Sequence, residues 1–124
     1  MKILMLSDVY FPRVNGVSTS IQTFRRQLQE LGHEVWLVAP EYGEPTADER
    51  CVERIVSRRV LFDPEDRMMR PRSLAQRLGM LRSRQFDLVH VQTPFVAHYA
   101  GLRLSRRLGV PCVETYHTFF EEYL

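Results

Sequence analysis

The chain has 124 residues, a mass of 14.6 kDa, 44% hydrophobic and 26% charged residues, and a formal charge of +2. That is the make-up of one globular domain with a core of its own, not of a disordered segment. Its apolar runs are far shorter than the ~18–20 residues of a membrane span, the start Met1–Asp8 is too brief and too soon acidic for a signal peptide, and two cysteines, Cys51 and Cys112, are too few for a disulfide scaffold or a zinc cluster, so a reduced, cytoplasmic setting is expected.

Lys2–Ser7 is a continuous apolar run bounded by Asp8 and Pro12 and reads as a buried strand. A loop with Pro12, Asn15 and Gly16 follows. Val17, Ile21, Phe24, Leu28 and Leu31 then mark one apolar stripe of a helix, and Gly32 sits where a left-handed cap belongs. Val35–Ala39 is a second buried strand, stopped by Pro40. Residues 41–50 read as loop. Within Val52–Phe62 a short third strand is expected near Arg59–Phe62, with loop over Asp63–Arg72. Leu74, Leu78 and Leu81 share a face of a helix over Ser73–Arg84. Leu88–Val91 is a further strand. Thr93-Pro94 resembles a helix start, a capping hydroxyl followed by proline at the first helical position. That helix should run to about Leu108 and close at Gly109, before a last strand over Pro111–Tyr116.

Both helices that end in Leu-Gly lead within three residues into an apolar strand, the connection of a parallel α/β sheet. The expected fold is a Rossmann-like, open, doubly wound α/β domain over residues 1–124, with helices on both faces. Ligands of such sheets bind outside the carboxyl ends of the strands. Three loops should therefore meet at one crevice: Asp8–Gly16, Gln92–Pro94 and His117–Phe120.

Charge is unevenly placed. Arginine supplies 16 of the 17 basic residues, and residues 50–84 hold ten arginines against Glu53, Asp63, Glu65 and Asp66. Arginine's planar fork suits phosphate. The segment reads either as a solvated face or as an anion-facing patch. No aromatic interleaving or recognised motif points to nucleic acid.

At the crevice, Gly16 at a helix start either serves a tight turn or lets backbone approach a phosphate. The G-x-G-x-x-G fingerprint and the P-loop are absent. His117, just past a buried strand, suits a sugar hydroxyl or phosphate. His90 suits a hydrogen-bonded core role. His33 suits a helix end, and His98 suits surface or packing. Asp63–Asp66 reads as solvated acid. The histidines, cysteines and acids show no metal-ligand spacing. Asp8 alone ends the first strand, without the acid cluster of a phosphoacceptor domain.

Four stretches then carry a resemblance: Ser7–Val17 (SDVYFPRVNGV), Leu31–Val35 (LGHEV), Asp87–Pro94 (DLVHVQTP) and Glu114–Thr118 (ETYHT). In this order they resemble the N-terminal domain of family 4 glycosyltransferases, similar to bacterial members that glycosylate diacylglycerol or transfer mannose. The resemblance implies half of a two-domain GT-B fold. It implies retaining, metal-independent transfer of a hexose from a UDP- or GDP-sugar, without a cofactor, to a lipid or glycan acceptor. It assigns His117 to the transferred sugar, and Asn15, Gly16, Val17 and Thr118 to the donor. Asp8, Tyr10 and Thr93 fall on the acceptor side. The family's second domain and its paired glutamates have no counterpart in these residues, and Glu121 and Glu122 are not those glutamates. The chain thus reads as a fragment, inactive by itself. Arg72, Arg77, Arg82 and Arg84 beside Leu74, Leu78 and Leu81 raise a further partner, an anionic membrane surface at the inner face. A non-enzymatic, self-associating α/β module is the alternative reading.

Overall fold

The computed structural model describes residues 1–43, 50–60 and 63–115. Five parallel strands form the central sheet: β1 (Lys2–Leu6), β2 (Glu34–Pro40), β3 (Val52–Ile55), β6 (Leu88–Val91) and β7 (Cys112–Glu114). Their order is β3-β2-β1-β6-β7. Between β3 and β6 lie β4 (Ser57–Val60), β5 (Asp63–Met69) and α2 (Pro71–Leu81), followed by a 3₁₀ turn over Arg82–Arg84. Helix α1 (Gly16–Glu30) follows β1, and α3 (Val96–Leu108) follows β6.

Alternation along β1 divides the core. Leu4 and Leu6 point to one face with Val38, Leu74, Leu78, Val89, Val91 and Leu104, beneath α2 and α3. Ile3 and Met5 point to the other with Val35, Leu37, Ala39 and Ile21, beneath α1. A strand buried on both sides needs apolar residues at every position, which is why β1 and β2 read as unbroken runs. The expectation of an open parallel sheet with helices on both faces is met.

Helix ends follow their local chemistry. The Asn15 side chain accepts the Ser18 N–H at 2.8 Å and caps α1. At the other end Gly32 has φ +93°, and its N–H and that of His33 return to the carbonyls of Gln29 and Leu28, each at 3.0 Å. This is the paired closure that a left-handed glycine permits. Gly109, at φ +68°, closes α3.

Three expectations are corrected. The third sheet strand is Val52–Ile55, not Arg59–Phe62, and it lies parallel to β2. The stretch read as loop from Asp63 is β5, which pairs antiparallel with β4. Residues 61–62 lie outside the described residues. Helix α3 begins at Val96, with Phe95 as its cap residue, because the Thr93 hydroxyl is engaged elsewhere.

Candidate functional site

From β1 the chain winds through β2 to β3 on one side, and β6 and β7 continue on the other. The strand order therefore reverses between β1 and β6. Both strands end there in the same direction, in register at Leu6 and Val91. Loops leaving two neighbouring strands toward opposite sides open a crevice between them.

Asp8 and Thr93 close the floor of that crevice. Thr93 Oγ1 donates to Asp8 Oδ2 at 2.5 Å, while the Asp8 N–H donates to Thr93 Oγ1 at 2.7 Å. The Ala97 N–H reaches both carboxylate oxygens, at 3.2 and 3.3 Å. Asp8 thus caps α3 from 89 residues away in sequence. Burial pushes its carboxyl above the usual aspartate range, against the opposing pull of the Thr93 hydroxyl and the N–H groups of Ala97, Phe95 and Val96.

The loop that leaves β1 through Asp8 leads to the start of α1. Asn15 takes the Ser18 N–H, and helix geometry leaves the N–H groups of Gly16 and Val17 without an intrahelical acceptor. Gly16 is exposed, and a Cβ added there would meet nothing within 4 Å. The absence of a side chain at 16 is thus not a demand of packing. It differs from Gly101, where a Cβ would lie 2.4 Å from Val91 Cγ2. Loop 8–16 is held by Ser18 Oγ donating to the Arg13 carbonyl at 2.6 Å, and it contains a cis Phe11–Pro12 bond.

The three residues that the resemblance assigns to the acceptor side divide by their surroundings. Asp8 and Thr93 sit at the rim but engage each other. Tyr10 is only 6% exposed and packs in the α1-side core. Its hydroxyl accepts from Arg25 Nη1 at 3.2 Å, and Arg54 stands 5.5 Å from its ring centroid. Its ring thus supports the loop and does not open on the crevice. His117 and Thr118 lie outside the described residues. Their approach does not: Thr115 follows β7, and its N–H donates to the Val91 carbonyl at 3.0 Å, at the same rim.

Two polar groupings were not drawn from the sequence. His90, in the hydrogen-bonded role expected of it, contacts Thr115 Oγ1 through Nε2 at 2.6 Å, beside fully buried Gln92. His98 contacts Glu114 through Nδ1 at 2.9 Å, tying α3 to β7. The signal for the second was weak: a histidine one turn into a helix and an acid at a strand end become partners only once the topology is known.

The basic segment also resolves into parts. Leu74, Leu78 and Leu81 are buried core residues, so they are not an insertion face of α2. Arg77 pairs with Glu53 at 2.5 Å, and Arg84 lies 4.1 Å from the Trp36 ring centroid. Arg72 and Arg82 are exposed. No group of three or more His, Cys, Asp or Glu suited to a metal ion occurs among the described residues.

The family model of Glycosyltransferase Family 4 matches residues 14–124. The chain belongs to this family. It is 31% identical to the alpha-monoglucosyldiacylglycerol synthase of Streptococcus pneumoniae, a match that covers 100% of this chain and 28% of that protein. It is 32% identical to the GDP-mannose-dependent alpha-mannosyltransferase of Mycolicibacterium smegmatis, over 99% of this chain and 35% of that protein. The chain thus spans about a third of the length of these family members. The crystal structure of Acinetobacter baumannii MurG shares the fold, with a TM-score of 0.59 and 17% identity over 98% of this chain and 38% of MurG.

Proposed function

We propose that this chain is the acceptor-side, N-terminal Rossmann-like unit of a retaining GT-B glycosyltransferase that moves a hexose from a UDP- or GDP-sugar to a lipid or glycan acceptor. The observation that carries the reading is the open start of α1 at Gly16. The loop that leads to it leaves β1 through Asp8, which Thr93 binds, at the point where strand order reverses.

In this reading the N–H groups of Gly16 and Val17, with the Asn15 cap, face the donor diphosphate. Preorganised donors there meet the negative charge that develops as the leaving group departs. His117 contacts the transferred hexose, and Thr118 lies on the donor side. Asp8 and Thr93 fix the acceptor edge. The bond from the anomeric carbon to the diphosphate breaks, and the acceptor oxygen bonds to the same face of the sugar. The acceptor's proton leaves with the nucleoside diphosphate. No metal ion is invoked. With a lipid acceptor the protein works as a peripheral enzyme at the cytoplasmic face of a membrane; no helix among the described residues is long and apolar enough to span one.

The test is hexose transfer from UDP-glucose or GDP-mannose by the protein as its native gene encodes it. Gly16→Val should lower the rate by about a hundredfold, the scale of losing preorganised donors to the leaving oxyanion. Wild-type transfer by that variant would refute the donor assignment. The 124-residue chain alone should not turn over.

One observation favours self-association as a second reading. On the α1 side of the sheet, Val113 on edge strand β7 is 47% exposed and Phe24 is 41% exposed. Light scattering that finds only monomers would remove it.

A further inference from the structure

Helices α2 and α3 lie side by side on the Leu4–Leu6 face, and a groove of about 320 Å³ runs between them. Its floor includes Leu78 and Leu104, both buried, and its edges include Tyr99, Arg82, Arg103 and Arg107. Arg103 and Arg107 are one helical turn apart and so share a face. Tyr99 is 72% exposed. From Pro71 to Arg84 and from Val96 to Leu108 there are seven arginines and no aspartate or glutamate. Arg77 and Arg84 are occupied by Glu53 and Trp36. Arg82, Arg103 and Arg107 have no ion pair among the described residues.

We propose that this groove is a docking site for an anionic phospholipid of a bilayer, its phosphodiester held by Arg82, Arg103 and Arg107 and its upper acyl chain laid on the apolar floor. The charge calls for an anion, and the floor calls for apolar chain next to that anion. An exposed tyrosine beside arginines is the pattern of a surface at the water–lipid boundary. A nucleic acid would satisfy the arginines and leave the apolar floor unfilled. The site differs from an inserting amphipathic helix, because the leucines of α2 stay in the protein core.

The inference rests on the lipid-acceptor reading, but vesicle binding needs neither donor nor turnover. Binding by this chain, with no transfer by the protein as its native gene encodes it, would count against the enzymatic reading alone, and transfer by that protein without vesicle binding against this site alone.

The experiment is flotation of the chain with phosphatidylcholine vesicles, with and without phosphatidylglycerol, over a range of salt. Binding should require phosphatidylglycerol and weaken with salt. Arg103→Ala combined with Arg107→Ala should weaken it roughly thirtyfold, from about fivefold per arginine near an anionic surface. Gly79→Leu separates groove from bulk charge. Gly79 lines the groove, a Cβ there meets nothing within 4 Å, and leucine favours a helix more than glycine does. This variant should fold at least as stably, measured by thermal unfolding, yet lose most of the binding. Three results would overturn the site: no binding to phosphatidylglycerol vesicles, binding that a stably folded Gly79→Leu leaves intact, or tighter binding to polyanionic nucleic acid than to the vesicles.

Discussion

At the scale of single residues, a glycine that opens a helix and one inside a helix have opposite reasons to exist. Gly101 is a packing glycine, because β6 approaches α3 so closely that a Cβ would overlap Val91 Cγ2. Gly101→Ala should cost about 1–3 kcal/mol in urea unfolding, the range for overpacking a core. Gly16→Ala should change stability by no more than about 0.5 kcal/mol, since nothing stands where its Cβ would go. Asp8 makes a second residue-scale prediction. Burial raises its folded carboxyl above the ordinary value of 3.8, so the folded state holds its proton more tightly than the unfolded state. The stability this supplies is complete below the ordinary value and is lost as pH rises through the raised one. Asp8→Asn has no such proton. Wild type should therefore lose stability relative to Asp8→Asn as pH rises through that window, read from paired thermal melts. At this scale the sequence was informative about place and poor about partners. Asp8, Gly16 and Thr93 were readable as rim residues from topology. That Thr93 would answer to Asp8 and not to its own helix depended on a bond across 85 residues, which no local pattern encodes.

At the scale of elements, hydrophobic period decided success. The unbroken runs of β1, β2 and β6 and the four-three spacing in α1 declare themselves because burial is symmetric for the strands and one-sided for the helix. The β4–β5 hairpin was illegible for the converse reason. Asp-Pro-Glu-Asp is a poor strand sequence by composition, and the pairing is imposed from outside the segment. Met69 is fully buried in the main core, and the Arg67 guanidinium donates to the Tyr42 carbonyl at 3.3 Å. The hairpin therefore depends on its anchor. Met69→Ala should cost about 2–5 kcal/mol, the range for emptying a buried site of that size, with a matching fall in Tm. An unchanged Tm would mean that the hairpin is not held through Met69.

At the scale of the whole molecule, one reversal of strand order gathers the carboxyl ends of β1, β6 and β7 along a single rim. Among the described residues the motifs that carry the family resemblance follow these strands: Asn15 and Gly16 after β1, Thr93 after β6, and Thr115 after β7. The groove between α2 and α3 is lined by none of Asp8, Asn15, Gly16 and Thr93, so a donor site and a lipid surface need not compete for the same residues. The central claim is that the rim is where a sugar diphosphate meets the protein, with His117 on the hexose. The most direct measurement is the initial rate of hexose transfer from UDP-glucose or GDP-mannose, for the protein as its native gene encodes it, against the same protein carrying His117→Ala. The account predicts a fall of about a hundredfold with an unchanged melting temperature. A variant that transfers at the wild-type rate would contradict it.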